Sequence, residues 1–305
     1  MAIPSICPLC QSNQEYQSVV TSHVYGDKDK THAFFKCTAC DVNYLYPQLT
    51  VAQENNFYAK EFEEFMAFRS SSSINTGWEE GPEKHVKANE FQFNRRWKYL
   101  QNYLPSEGSS ILELGCSSGF MLYPLRELRY ECVGIEPSGI FSSYLQSQGI
   151  TILKDINNVK NKFDVIMHFF VLEHIRNPIE FLKTNLDALK SGGRLIIEIP
   201  NAADPLYTIY NIAAFEKFYW SIAHHWYFTE KSFRYLLKRL KGISFNILYD
   251  QRYDFSNHMI WARDGKPGGT GKFIDKLGIE LENYYKQCLL KTGFCDTLIA
   301  VINKI

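Results

Sequence analysis

The stretch Ile111-Leu-Glu-Leu-Gly-Cys-Ser-Ser-Gly119 most constrains the fold of this chain. The apolar residues before Gly115 predict a buried strand. Gly115 and Gly119 allow a sharp turn beside a ligand, and the apolar residues after Gly119 recur at helical spacing. A second short strand ends at Glu136, 17 residues after Gly119. A carboxylate there can accept hydrogen bonds from both hydroxyls of a ribose. These features predict a nucleotide-type pocket at the edge of a parallel sheet.

From Ser110 onward, strands and helices alternate as in a doubly wound α/β sheet. Helices are predicted between the strands, the third of them from Pro178 to Ser191 and stopped by Gly192-Gly193. A further helix begins at Thr229, whose hydroxyl is placed to cap it. Five parallel strands and two late ones are predicted at 111–115, 130–136, 150–153, 163–167, 194–199, 244–253 and 297–303.

Dinucleotide cofactors are an alternative for the pocket, but their G-x-G-x-x-G fingerprint has three glycines, whereas only Gly115 and Gly119 are present. The E-x-G-x-x-x-G pattern from Glu113 resembles motif I of class I methyltransferases that use S-adenosylmethionine (SAM). The resemblance implies a Rossmann-like, seven-stranded fold with an antiparallel last strand, SAM as cofactor, and Glu136 on its ribose. A tight turn without a ligand is the remaining alternative.

The segment from Phe163 to Pro178 carries Leu-Glu-His-x-x-x-Pro and resembles the fourth-strand motif of one subgroup of that family. There, the loop after the strand closes over the adenine and the methionine. Glu173 and His174 fall where the next helix begins, so hydrogen bonding at the helix start is an alternative to a role in the site. The residues assigned to the cofactor are Glu113, Gly115, Cys116, Gly119, Phe120, Glu136, Pro137, His168, Phe169 and Phe170.

The run His224-His225-Trp-Tyr-Phe-Thr229 resembles the family's H-x-x-x-F-S/T element. Methyl transfer needs an in-line approach of the acceptor, and a base is needed only if the acceptor keeps its proton. His224 is therefore the first candidate base and His225 the second, with capping or packing as the alternative for both. The aromatic-rich segment before them indicates a lid that either stacks on a sugar or packs on the core.

Cys7-Pro-Leu-Cys10 and Cys37-Thr-Ala-Cys40 are two Cys-x-x-Cys knuckles separated by 26 residues. This spacing is typical of a tetrahedral zinc site. Disulfides are the alternative, and His23 or His32 could replace one cysteine ligand. Four thiolates leave no open coordination position, so the zinc is expected to be structural.

Three regions are predicted: a zinc ribbon at 1–48, a helical linker or cap at 49–109, and a SAM-dependent methyltransferase domain at 110–305 with a lid at about 201–227. Within the linker, helices are predicted at 50–68 and 85–104, the second covering the sheet edge, around a polar connection with Ser70 to Ser73, Asn75 and Gly77.

The amino-acid composition limits the classes of binding partner that we expect. Lysine plus arginine and aspartate plus glutamate both number 33, so no overall positive field attracts nucleic acid. Neither a signal peptide nor an apolar run long enough to span a membrane is recognised, and a cytoplasmic enzyme is expected. The oligomeric state is left open.

A cysteine-rich module joined to this core resembles the sugar C-methyltransferases of deoxysugar pathways and related polysaccharide-associated enzymes. Those enzymes continue into a further C-terminal α/β domain, which we expect this chain to lack, so O-, N- and C-methylation stay equally open. The implied acceptor is a small polar metabolite such as a sugar or nucleotide-sugar. The alternatives are a zinc-ribbon RNA methyltransferase and a non-catalytic SAM-binding protein.

Overall fold

The computed structural model describes residues 2–57, 81–159 and 162–305. The predicted polar connection with Ser70 to Ser73, Asn75 and Gly77 lies outside the described residues. The helix predicted at 50–68 is described only in its first part, as α1 (Val51–Asn56). Thr50 caps this helix by accepting a hydrogen bond from the backbone of Gln53.

A seven-stranded sheet forms the core and confirms the predicted fold class. The strands are β4 (Ser110–Leu114), β5 (Glu131–Ile135), β6 (Thr151–Leu153), β7 (Phe163–Phe169), β8 (Leu189–Pro200), β10 (Ile243–Asp250) and β11 (Thr297–Lys304). Their order in the sheet is β10, β11, β8, β7, β4, β5, β6. All neighbouring pairs from β8 to β6 are parallel, whereas β11 runs antiparallel to both β8 and β10.

Helices cover both faces of this sheet because its central strands are apolar on both sides. On one face, Ile111, Val165 and Ile196 pack with Leu100 and Leu125 of the covering helices. On the other face, Leu112, Ile166 and Leu195 pack with residues such as Leu182 and Phe233. The helices are α2 (Pro82–Leu100), α3 (Leu122–Glu127) and α4 (Gly139–Ser147) on the first face, and α5 (Pro178–Asp187) and α8 (Glu230–Leu237) on the second.

Helix α2 lies across a sheet face, which corrects the prediction that it covers an edge. Its side chains reach Glu198 in β8: Arg96 Nε donates at 2.9 Å and the Tyr99 hydroxyl at 3.0 Å, and Arg95 also pairs with this carboxylate. Despite complete burial, the nearby arginines lower the pKa of Glu198 to about 2. The buried ion pairs fix α2 over the strand that leads to the site.

Helix α5 ends at Asp187, so the prediction that Gly192-Gly193 stops it is wrong. Both glycines lie inside β8, where Phe163 pairs with Leu189 but Val165 pairs with Arg194. The extra residues form a bulge. A Cβ on Gly193 would lie 3.0 Å from the carbonyl oxygen of Asp164, so the close pairing with β7 needs glycine there.

The N-terminal region and the lid share a second sheet. Strands β1 (Gln17–Thr21), β2 (Ala33–Cys37) and β3 (Asn43–Tyr46) pair in sequence, and β9 (Trp226–Tyr227) adds to the free side of β3. The lid also holds α6 (Pro205–Thr208) and α7 (Ala213–Tyr219). The predicted zinc ribbon is therefore continuous with the segment that carries the candidate catalytic histidines.

Most lid aromatics pack inside the protein. Phe34 of β2 lies against Trp220 and Tyr227, with ring centroids 5.1 and 5.3 Å apart. Of the lid aromatics, Tyr210 is exposed. Between the two roles that the sequence left open, the structure assigns these rings to packing of the lid. Its buried members are Phe215, Tyr219, Trp220, Trp226 and Tyr227.

The last part of the chain adds helices beside the lid. They are α9 (Phe255–Asp264), α10 (Ile274–Leu277) and α11 (Ile279–Thr292). Helix α9 joins the lid cluster through Trp261, whose ring lies 5.1 Å from that of Phe215. Within the described ranges, no helix has the length and apolar character needed to cross a membrane.

Candidate active site

The glycine turn follows β4 at the carboxyl edge of the parallel strands. Gly115 has φ 70°, Ser117 φ 50° and Gly119 φ 83°, so the chain turns through three left-handed residues. A Cβ on Gly115 would lie 2.8 Å from Cγ2 of Val171. The turn therefore sits directly against the loop that leaves β7, and a side chain at position 115 would push the two apart.

Glu136 follows β5 and bridges the turn. Its carboxylate accepts hydrogen bonds from the backbone N–H of Ser117 at 2.7 Å and of Ser138 at 2.8 Å. Burial raises its pKa, and the two N–H donors oppose this shift. Each oxygen keeps a further lone pair, so the carboxylate can also accept from a ligand hydroxyl. Pro137, next in the chain, is exposed.

Two buried polar atoms beside the turn fit a ligand with donor groups. Oε2 of Glu113 and the Ser117 hydroxyl are shielded from solvent and have no hydrogen-bond partner in the described part of the chain. Burial raises the pKa of Glu113 well above its usual range. Since buried polar atoms are normally paired, this cradle suits the ammonium and hydroxyl groups of SAM.

Cys116 and Phe120 flank the turn in different ways. The Cys116 thiol is buried and points at Gly134 of β5, where a Cβ would lie 2.5 Å from its sulfur. Burial raises the pKa of this thiol, so it stays protonated and packs. Phe120 is half-buried, with the Arg96 guanidinium 5.7 Å from its ring centroid.

The side chains of His168 and Phe169, at the end of β7, point to opposite faces of the sheet because side chains alternate along a strand. His168 is fully buried against Phe181 of α5, with ring centroids 5.4 Å apart, and burial lowers its pKa to about 3. It is therefore a neutral residue packed in the core, and its assignment to the cofactor remains a prediction. Phe169 faces α2, with the Arg96 guanidinium 4.0 Å from its ring centroid.

Phe170 leaves the strand with φ 57°, an unusual conformation for a bulky side chain. The Arg252 guanidinium lies 4.3 Å from its ring centroid, and Arg252 is itself paired with Asp296 at 3.3 Å. Backbone strain of this kind is common at functional sites. Here it directs the chain from β7 across the glycine turn.

A 3₁₀ turn, Leu172–His174, follows at once and meets the end of the lid. His174 Nδ1 lies 2.7 Å from the carbonyl oxygen of Ala223, and the rings of His174 and His224 are 4.6 Å apart. Glu173 is buried, and burial raises its pKa to about 8. The Leu-Glu-His motif had pointed to Glu173 and His174, but the sequence did not show that they meet His224.

The side chain of His225 points away from His174 and towards α1. Its Nε2 lies 2.6 Å from Oε1 of Glu54 in α1, and Arg176 pairs with the second oxygen of that carboxylate. Burial lowers the pKa of His225, although Glu54 opposes the shift. The structure therefore separates the two candidate histidines: His224 joins the cluster after β7, while His225 ties the lid to α1.

The four cysteines of the knuckles come together as predicted. Their sulfurs lie within 4.8 Å of one another, with Cys7 Sγ and Cys40 Sγ 3.8 Å apart and Cys10 Sγ and Cys37 Sγ 3.6 Å apart. Thiolates about 2.3 Å from a tetrahedral zinc would be about 3.8 Å apart, whereas a disulfide needs about 2.05 Å. The donor set therefore fits zinc. His32 is occupied by Asp27 at 3.2 Å.

Comparison with known proteins now gives the family. A profile of the methyltransferase domain matches residues 88–240, half of the chain. The chain belongs to this methyltransferase family. Together with the glycine turn and Glu136, this identifies a SAM-dependent methyltransferase domain.

Two groups of curated relatives match part of the chain. A tRNA U34 carboxymethyltransferase of Desulfotalea psychrophila is 33% identical over 122 residues, which are 36% of this chain and 38% of the relative. A ubiquinone biosynthesis O-methyltransferase of Cereibacter sphaeroides is 28% identical over 110 residues, 32% of this chain and 44% of the relative. The match thus spans about two fifths of each relative's length. Neither name concerns a sugar, so the resemblance to sugar methyltransferases remains a proposal.

Among solved structures, a SAM-dependent methyltransferase from Thermotoga maritima is similar, with a TM-score of 0.46 and 18% sequence identity. The match covers 73% of this chain and 93% of that one.

Replacing Glu136 with alanine is expected to weaken SAM binding by roughly 10- to 100-fold, since each buried hydrogen bond lost contributes about 1 to 3 kcal/mol. Calorimetric titration measures the change. Glu131→Ala, at the exposed start of the same strand, is the matched control and should bind SAM normally. Equal affinity in wild type and Glu136→Ala would show that the ribose lies elsewhere.

Asp204 gives a prediction for stability. It is buried at the start of α6, accepts the Leu206 N–H at 2.8 Å, and has a pKa raised to about 8 by burial and by Asp296. The pKa of Asp204 is higher in the folded protein than in the unfolded chain. The free energy of unfolding therefore falls as pH rises from about 4 towards 8, because the carboxyl group ionises first in the unfolded chain. Asp204→Asn should therefore raise the free energy of unfolding by a few kcal/mol, on the order of 2 to 5, at pH 9 and leave it unchanged near pH 4.

Urea unfolding at both pH values checks this expectation. The control is Asp275→Asn in α10, where the carboxylate is exposed. A variant at position 204 whose advantage does not grow with pH would contradict the prediction.

Proposed function

We propose that this methyltransferase acts on a small polar metabolite, most simply a sugar or nucleotide-sugar. The observation that carries the proposal is the juxtaposition of Glu173, His174 and His224 at the junction of the lid and the loop after β7. Val171 of the same loop lies against the glycine turn. Polar groups that converge beside a cofactor cradle define an acceptor site.

At the cofactor end of the site, each residue is assigned a different role. Glu136 accepts from the ribose hydroxyls, and the carboxylate of Glu113 faces the amino acid part. Gly115 lets the loop with Val171 approach closely. When bound, SAM supplies an electrophilic methyl group on its sulfonium. The protein's contribution is then to hold the acceptor in line with that methyl.

At the acceptor end, we assign His224 to the acceptor's proton and His174 to positioning. Both residues are half-buried. Glu173 lies behind them as a buried acid. His225 is excluded from this role because the residue is buried and its ring is held by Glu54.

The charge distribution favours a small acceptor over a polyanion. In the described part of the chain, three arginines near this edge are already paired with acids: Arg96 with Glu198, Arg252 with Asp296, and Arg176 with Glu54. Polynucleotide binding needs cations that are free to meet phosphates. The chain as a whole has a formal net charge of zero.

RNA is the second candidate, and the names of relatives favour it. Two matched tRNA U34 carboxymethyltransferases cover 36% and 40% of this chain, at 33% and 31% identity. These matches leave more than half of this chain outside the resemblance.

An assay with radiolabelled SAM decides between the two. We expect label transfer to a nucleotide-sugar pool and none to total tRNA, with little dependence on salt. Transfer to tRNA that falls steeply with salt, together with no labelled sugar, would overturn the proposal.

We further propose that the four cysteines hold one structural zinc. Four thiolates close the coordination shell, so the ion cannot bind an acceptor. Its place beside β2 and β3 indicates that it holds the sheet to which the lid strand β9 adds.

A further inference from the structure

We propose that Glu173, His174 and His224 bind a divalent transition-metal cation beside the glycine turn. One carboxylate oxygen and two imidazole nitrogens, one ligand atom from each residue, lie within 4.8 Å of one another. Two imidazoles with one carboxylate are a donor set that suits Zn²⁺, Fe²⁺ and Mn²⁺. This site is separate from the four cysteines. The inference rests on the proposed function only for the location of the acceptor.

The hydrogen bond of His174 prepares its ring for a metal. The Ala223 carbonyl oxygen can only accept, so His174 Nδ1, 2.7 Å away, carries the proton. Nε2 of the neutral ring then has the lone pair. Histidines that ligate metals typically donate their other N–H to a carbonyl or carboxylate in this way.

The burial of Glu173 supports a bound cation independently of the distances between the ligand atoms. The residue is 1% exposed, and neither carboxylate oxygen has a hydrogen-bond partner within the described ranges. A buried carboxylate without partners is costly, and a bound cation offsets that cost. Arg252, the cation that acts on it within the protein, is already paired with Asp296.

The scaffold holds these ligands from two directions. The His225 N–H donates to the Glu173 carbonyl oxygen at 2.8 Å, and the Trp226 indole N–H donates to that of Ile175 at 2.9 Å. Together with the bond from His174 to Ala223, they fasten the 3₁₀ turn to the end of the lid. Because ligand bonds are about 2.1 Å long, the three ligand atoms need to draw slightly closer around the ion.

A metal with three protein ligands keeps an open position, as catalytic sites do. With the cation bound, His224 is a ligand and no longer the group that takes the acceptor's proton. An acceptor hydroxyl at the open position would become more acidic and would lose its proton to solvent at neutral pH. The resulting oxygen forms a bond to the methyl carbon while the bond between that carbon and the sulfonium sulfur breaks, which leaves a thioether. Atoms and charge balance without any further reactant, because the acceptor's proton goes to solvent and the sulfonium loses its positive charge when the thioether forms.

The test is a titration of the full chain with Mn²⁺ alone, followed by electron paramagnetic resonance. Mn²⁺ prefers oxygen and nitrogen ligands, so it does not compete for the four thiolates. We expect about one Mn²⁺ per chain, with Glu173→Gln and His174→Gln each weakening binding on the order of 100-fold or more. His225→Gln, next to the site but turned towards Glu54, is the matched control and should bind as wild type does.

Absence of bound Mn²⁺ in the wild type, or unchanged binding in both Glu173→Gln and His174→Gln, would overturn the site. SAM titration of each variant checks that it folds, and His224→Asn replaces any variant that does not. Because Mn²⁺ is measured without acceptor or turnover, the two proposals fail separately. Mn²⁺ bound at these residues with no sugar methylated would leave the metal site standing and refute only the acceptor class.

Discussion

Replacing Cys37 and Cys40 together with serine is expected to remove the bound zinc and to abolish methyl transfer. Structural zinc contributes on the order of 10 kcal/mol to the folding of a small module, which is comparable with the whole stability of a domain. The effect should reach the active site because β3 of the N-terminal sheet pairs with β9, two residues after His224. Metal analysis should fall from about one zinc per chain to near zero, and activity should fall with it.

The control for this variant is the pair Cys132→Ser and Cys288→Ser, two partly buried thiols outside the cluster. It should keep its zinc and its activity. Full zinc occupancy in the Cys37 and Cys40 double variant, or less than about half an equivalent in the wild type, would contradict the four-cysteine site.

Much of the central sheet could be predicted because its strands carry strong local signals. The run from Leu195 to Ile199 is buried and, apart from Glu198, apolar, and Gly115 and Gly119 mark the turn after β4. The bulge at Gly192-Gly193 could not be predicted, because a glycine pair is also a typical helix end. Only pairing with β7, more than 20 residues away in the chain, decides between the two.

The candidate site was less predictable because it depends on contacts between distant segments. His168 and Phe169 are neighbours in sequence, yet strand alternation sends them to opposite faces. His224 and His225 are likewise adjacent, but Glu54, 171 residues before His225, selects one of them. Strand β9 has two residues, too few for any periodic pattern. The motifs therefore located the region, and the tertiary contacts assigned the individual side chains.

His224→Asn is expected to lower turnover by roughly 100- to 10,000-fold while SAM affinity stays nearly unchanged. The reason is geometric. His224 lies 4.6 Å from His174, ring to ring, on the acceptor side, whereas the groups assigned to the cofactor are Glu113, Glu136 and the glycine turn. Loss of the imidazole lone pair removes acceptor activation whether the ring takes the proton directly or ligates a cation that acidifies the acceptor.

His225→Asn is the matched comparison, because it changes the adjacent histidine without touching the cluster. It should reduce turnover much less, and its main effect should be on stability through the lost contact with Glu54. Single-turnover rates and SAM titrations on both variants separate the two roles. Equal activity in His224→Asn and His225→Asn would reduce both histidines to structural residues, and the rate of methyl transfer would then rest on positioning of the acceptor alone.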